Sequence, residues 1–169
     1  YNIGLSYDKI GEKWQAQDAY KQATAINPAN GLAHFALGKI YDSILKFDLA
    51  IIEYQAAKRY IALDELNLNL GELLFNNNQY KESMIPLREY IINHPRDVKV
   101  LKMLGYIFMQ EERYPEAIDT YVRLLDMSHD EEEYYFKIAE SYYYLENFVD
   151  AKEYYQQVLL FNEENANIL

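Results

Sequence analysis

Residues 31–63 read GLAHFALGKIYDSILKFDLAIIEYQAAKRYIAL, and this stretch decides the fold. Phe35, Leu37, Ile40, Tyr41 and Ile44 recur at helical spacing, and Phe47, Ile51, Tyr54 and Ala57 do so again after a short break. The segment therefore predicts two amphipathic helices in 33 residues. Working outward, Gly38 has counterparts at Gly4, Gly71 and Gly105, with Ala139 continuing the column. Tyr41 belongs with Tyr7, Leu74, Phe108 and Tyr142; Ala50 with Ala16, Ser83, Ala117 and Ala151; Tyr54 with Tyr20, Leu87, Tyr121 and Tyr155. All four columns advance by 34 residues except for one shared step of 33, and a period near 34 is the signature of a helical repeat.

Helices are predicted near 1–10, 14–26, 31–44, 48–61, 64–76, 80–93, 98–110, 114–127, 131–145 and 148–161. The punctuation between them is suitable. Gly11 and Asn76-Asn77-Asn78 tolerate left-handed backbone, Pro115 fits a first helical turn, and Pro28 and Pro95 stop the helices before them. Small residues in the Gly38 and Ala50 columns would let paired helices approach closely, while the Tyr41 and Tyr54 columns would fill the space between pairs.

The residues Leu37-Gly38-x-x-Tyr41 followed by Ala50, Tyr54 and Ala57, and Leu104-Gly105-x-x-Phe108 followed by Ala117 and Tyr121, closely resemble the tetratricopeptide repeat. The resemblance covers essentially the whole chain: a partial unit 1–30, then 31–63, 64–97, 98–131 and 132–165, with 166–169 entering a further one. It implies an all-α fold, a right-handed superhelical solenoid of antiparallel helix pairs forming a single array over 1–169, both of whose ends are expected to be cuts within a longer protein. Some positions depart from the family pattern. The large aromatic near the start of the first helix is replaced by His34, Asn67 and Leu101 and kept only as Tyr135; the closing Pro is Ala62, His129 and Glu163; Tyr90, Leu124 and Val158 replace a small residue. Pro86 falls inside a helix, where it should remove a hydrogen bond and bend the chain.

Composition narrows the function. The 169 residues hold 16 Lys+Arg against 27 Asp+Glu, a net charge of −11, and no Cys. Disulfide frameworks, thiolate metal sites and cysteine nucleophiles are thereby excluded, whereas the compartment stays open between cytoplasmic and extracytoplasmic. No apolar run approaches the roughly 20 residues of a spanning helix, so membrane insertion is not expected in this segment. Charge falls toward the C-terminus: 3 positive and 3 negative groups in 1–30, but 2 and 8 in 132–169. An acidic body repels phosphate backbones, so nucleic acid is not an expected partner.

The chemistry-bearing residues form no catalytic or metal constellation, and no cofactor is expected. His34 sits in a core column, and His94 and His129 at helix ends. Glu111-Glu112 falls in a turn, and Asp130-Glu131-Glu132-Glu133 precedes a helix, where negative charge suits the helix dipole. What remains is a groove. In the family the first helices line the inner face, and by resemblance Leu5, Phe35, Lys39, Leu68, Glu72, Phe75, Lys102, Met103, Tyr106, Met109, Phe136 and Glu140 should line it here, joined by Tyr1, Leu32, Tyr143 and Tyr144. Large exposed apolar surfaces of this kind bind partners. The set of Lys, Asn and Arg with which some relatives capture a C-terminal carboxylate is absent: the matching places hold Phe35 and Lys39, Asn69, and Lys99 and Met103. The expected function is a non-catalytic scaffold or adaptor binding a protein or peptide. The alternatives are a self-associating, homo-oligomeric array and an accessory module of an enzyme whose catalytic domain lies outside these residues.

Overall fold

In the computed structural model, residues 1–127 and 131–166 are described, those from 161 onward for their backbone alone. They form α-helices joined by short turns: α1 Asn2–Lys9, α2 Lys13–Ile26, α3 Gly31–Ser43, α4 Phe47–Lys58, α5 Asp64–Asn76, α6 Tyr80–Asn93, α7 Val98–Gln110, α8 Tyr114–Leu125, α9 Glu131–Tyr144 and α10 Phe148–Ala166. The fold is all-α, as the periodicity predicts. The largest differences are at C-terminal ends: α4 stops three residues early, and α10 continues through Ala166. His129, Asp130 and 167–169 lie outside the described residues.

The chain forms two compact units, Tyr1–Tyr90 and Ile91–Leu169, whose boundary falls near the end of α6. In the first unit α1 packs on α2, α2 on α3, α3 on α4 and α4 on α5; in the second α7 packs on α8, α8 on α9 and α9 on α10. The column chemistry explains the pairing. A Cβ added at Gly4 would lie 2.6 Å from the Tyr20 ring, at Gly38 2.5 Å from Tyr54, at Gly71 2.5 Å from Leu87 and at Gly105 2.8 Å from Tyr121. The Tyr54 column, expected to fill the space between pairs, thus meets the glycine column inside a pair, and glycine suits that place because the large residue of the second helix lies against the backbone of the first. The Ala16, Ala50, Ser83 and Ala117 column is fully buried. Pro86 lies inside an uninterrupted α6, where it can donate no hydrogen bond to the preceding turn.

A further column emerges at the turns. Gly11, Leu45, Asn78, Glu112 and Glu146 all have φ between 57° and 81°, and they repeat at the same 34- or 33-residue step. Each N–H donates to the carbonyl three residues back, and the next residue's N–H donates five back, as in Leu45 to Asp42 (2.9 Å) and Lys46 to Tyr41 (2.9 Å). These paired bonds close the first helix of every pair. Left-handed backbone costs a residue with a Cβ about 1–2 kcal/mol, part of which glycine gives back in chain entropy. Leu45→Gly, Glu112→Gly and Glu146→Gly are each expected to stabilise the protein by about 0.5–1 kcal/mol in urea unfolding; Leu45 is largely exposed, so little packing is lost.

The departures from the family pattern are resolved by polar pairing. His34 Nδ1 lies 2.6 Å from Glu53 Oε2, and its Nε2 3.1 Å from the Pro28 carbonyl. Asn67 is buried and accepts a 2.7 Å bond from Lys58 Nζ, which also pairs with Glu89. Tyr135 keeps the aromatic contact, its ring 6.1 Å from Tyr154. Leu101 is fully buried.

Candidate functional site

The first helices carry a cleft that recurs with the repeat. Between α1 and α3 it encloses about 280 Å³ and is lined by Tyr1, Leu5, Leu32, Phe35 and Lys39, all expected there, together with Asp8, Lys13 and Ser43. Its floor is aromatic: the Tyr1 ring lies 5.8 Å from Tyr20 and the Phe35 ring 5.9 Å from Tyr54. Lys39 Nζ sits 5.5 Å above the Phe35 ring and donates to Glu65 at 2.7 Å. One repeat step later, a cleft of about 160 Å³ between α3 and α5 contains Asp42, Phe47, Asn69, Glu72, Asn76 and Asn77.

In the second unit the corresponding columns of α7, α8 and α9 also converge. Ser141 Oγ donates to Met109 Sδ at 2.9 Å, the Tyr114 and Tyr144 rings stack at 5.0 Å, and Phe136 meets Tyr155 edge-on at 5.8 Å. Lys102 Nζ lies over the Tyr134 ring, and Lys137 pairs with Glu140 at 2.8 Å. Tyr106 and Phe136 remain exposed.

Not every expected residue offers surface. Phe35 and Met103 are 8% and 7% exposed, so most of their area is already spent inside the protein. Phe75 turns to α6, its ring 5.4 Å from Tyr80, and Leu68 is half-buried. Tyr143 and Tyr144 pack against each other edge-on at 6.0 Å and against Phe148 and Tyr114, yet stay half exposed. Asp42, Asn69 and Asn77 were absent from the expected lining; they are polar and distant in sequence, and only the repeat register could have pointed to the first two.

The buried tyrosines give the site a pH limit. Burial, with the Asp8 carboxylate and Tyr1 adding to it, pushes the Tyr20 hydroxyl up from 10.0 to about 12. Burial also raises Tyr54, aided by Asp42, and Tyr121, aided by Glu133 and Glu140. A phenol harder to ionise when folded contributes stability that is complete below its unfolded value and lost as pH rises through its folded one. Stability is therefore expected to fall from about pH 10 upward, the Tyr20 contribution disappearing by about pH 12. Tyr20→Phe should flatten that slope in urea titrations at successive pH values.

Among the described residues no three His, Cys, Asp or Glu are grouped as metal ligands would be, and no helix is long and apolar enough to cross a membrane. Tetratricopeptide-repeat models match residues 1–64, 100–133 and 133–160. The type IV pilus assembly protein PilF of Pseudomonas aeruginosa is 25% identical over 173 residues, covering 99% of this chain and 68% of that protein. The BBSome complex member BBS4 of Bos taurus is 24% identical over 164 residues, covering 96% of this chain, which spans only 32% of BBS4. Among solved structures, YrrB, described as a TPR protein with an unusual peptide-binding site, superposes with a TM-score of 0.72 at 18% identity, covering 94% of this chain and 82% of YrrB. A MamA structure (AMB-1) gives 0.71 at 20% identity, covering 96% and 89%. With glycine meeting Tyr or Leu at four successive repeat steps and three family models matched along its length, the chain belongs to the tetratricopeptide-repeat family.

Proposed function

We propose that this chain is a non-catalytic interaction scaffold whose clefts between first helices hold a peptide or helix of a partner protein. The observation that carries this reading is the apolar lining of the first cleft: Leu5 and Leu32 line it, and Leu32 is 42% exposed although Ala33 and Leu37 on the same helix are buried. Burying one such side chain in a complex is worth roughly 1.5–3 kcal/mol, and a few suffice for about micromolar affinity. YrrB is described as peptide-binding, PilF as a pilus assembly protein and BBS4 as a member of a complex, which supports the reading. The partner is protein rather than nucleic acid, because Lys39 and Lys137 are already paired with carboxylates on an acidic body.

The test is titration calorimetry with peptides selected from a random library on the whole chain. Leu5→Ala and Leu32→Ala are each expected to weaken binding by about 1–3 kcal/mol with the helical circular dichroism unchanged, whereas Trp14→Ala leaves it unaltered. A Leu5→Ala/Leu32→Ala protein that binds as the parent does would sink the proposal.

A further inference from the structure

On its outward side α4 differs from the other second helices. Leu49 is 41% exposed and Ile52 58%, and Ala56, one turn on, is half-buried. Steps of three and four residues put these on one stripe, and Leu45, in the turn before the helix and 73% exposed, borders the same depression as Leu49. By register, Leu49 stands where the others carry Gln15, Glu82, Glu116 and Asp150, and Ile52 where they carry Asp18, Asp119 and Glu153, with Ile85 the one exception. α4 has a helix pair before it and another after it, so the stripe is not bare for want of a neighbouring repeat. Charge frames it: Lys46 and Asp48 stand at its start, and Arg59, which caps α4 with helical backbone, at its end. All three are exposed, and among the described residues none of their side chains has an ion-pair partner.

We propose that this stripe is a seam between two copies of the chain, the α4 helices packing antiparallel about a twofold axis at Ile52. In that register Ile52 meets Ile52 of the second copy and Leu49 meets its Ala56, so a large residue faces a small one in each outer layer. Arg59 of the second copy then lies over Leu45 and reaches Asp48, and the symmetry makes that ion pair twice. The seam is complementary to itself in charge as well as in shape, which singles out a second copy over a foreign helix. Residues 31–63 carry 4 positive and 3 negative groups in a chain of net charge −11, so two copies meeting here bring little like charge together. One helix face is smaller than the roughly 800 Å² per partner of a standard interface, so the dimer is expected to form at about 10–100 µM. The seam uses a second helix whereas the clefts lie between first helices; the proposal goes beyond the scaffold reading and does not depend on it.

The experiment is sedimentation of the whole chain from about 1 to 500 µM, over which its mass should rise from monomer to dimer. Ile52→Glu, which places two carboxylates at the axis, should remain monomeric with the circular dichroism of the parent, the side chain being exposed. Asp48→Arg and Arg59→Asp should each weaken the dimer about tenfold, because both ion pairs become like-charge contacts. Mixed together, the two variants should associate with each other as tightly as the parent does with itself, since each contact of residue 48 with residue 59 is then between opposite charges. The chain has no Cys, so Ile52→Cys reports on the axis alone. It should oxidise to a disulfide-linked dimer faster than Gln22→Cys, the exposed position of α2 that matches Ala56. A monomer at every concentration overturns the proposal, whether α4 then proves to bind a foreign helix or a lipid vesicle. A dimer that survives Ile52→Glu, or a mixture of the two charge variants that stays apart, overturns it equally, because the copies then meet elsewhere.

Discussion

Replacing Tyr54 with alanine is expected to cost about 3–5 kcal/mol, the range for removing a large buried aromatic. Tyr54 is fully buried, and its ring serves two neighbours at once. One side receives the bare backbone of Gly38, where a Cβ would come within 2.5 Å, and another carries the Phe35 ring at 5.9 Å. The truncation therefore empties the α3–α4 contact and removes the support beneath the first cleft. Since whole domains have about 5–15 kcal/mol of stability, the loss is a large share of what holds the first unit folded. Guanidinium unfolding followed by circular dichroism checks this; a midpoint within error of the parent would contradict the assigned packing.

Gly38→Val is the converse, with an expected loss of about 3 kcal/mol, near the upper end for overpacking. The site cannot relax cheaply, because the Tyr54 ring atoms nearest the new Cβ belong to a fully buried side chain. The two substitutions should not add. In a Tyr54→Ala background the valine fills part of the vacated space, giving a coupling of about 2 kcal/mol or more between contacting residues. The same argument applied to Gly105 and Tyr121 predicts the same signs in the second unit. Additive effects would mean that the glycine column is retained for turn or helix reasons and not for the close approach.

The fold was legible because repetition multiplies weak signals. A single Gly38 says little, but Gly4, Gly38, Gly71 and Gly105 in step with Tyr20, Tyr54, Leu87 and Tyr121 identify the repeat, whereas the contact between these two columns inside one pair emerged only from the structure. Turn geometry was only partly legible. Gly11 and Asn78 announce left-handed backbone, whereas Leu45, Glu112 and Glu146 adopt it without any residue preference, held by the paired helix-closing hydrogen bonds. Helix ends shifted where tertiary packing overrode local pattern, as in α4.

The cleft lining was read with less success for a physical reason. Periodicity tells which face of a helix a residue occupies, but not how much of it a neighbouring helix covers. Leu5, Leu32 and Phe35 all line the first cleft, yet Phe35, like Met103, is mostly buried. Polar residues such as Asp42, Asn69 and Asn77 carry no hydrophobic signal, and their convergence depends on the stacking of α3 against its successor. His34 and Asn67 looked like defects in the pattern until their partners Glu53 and Lys58 were placed beside them.

The central claim is that partners are held by the first-helix clefts of a tetratricopeptide-repeat scaffold. Its most direct test is an amide and methyl chemical-shift map of the whole chain titrated with its tightest selected peptide. Perturbations are predicted to concentrate on Leu5, Leu32, Lys39 and Glu72, leaving Ile52, Ile85 and Trp14 unmoved. Shifts centred on Ile52, Ile85 or Trp14, with the cleft residues silent, would contradict it.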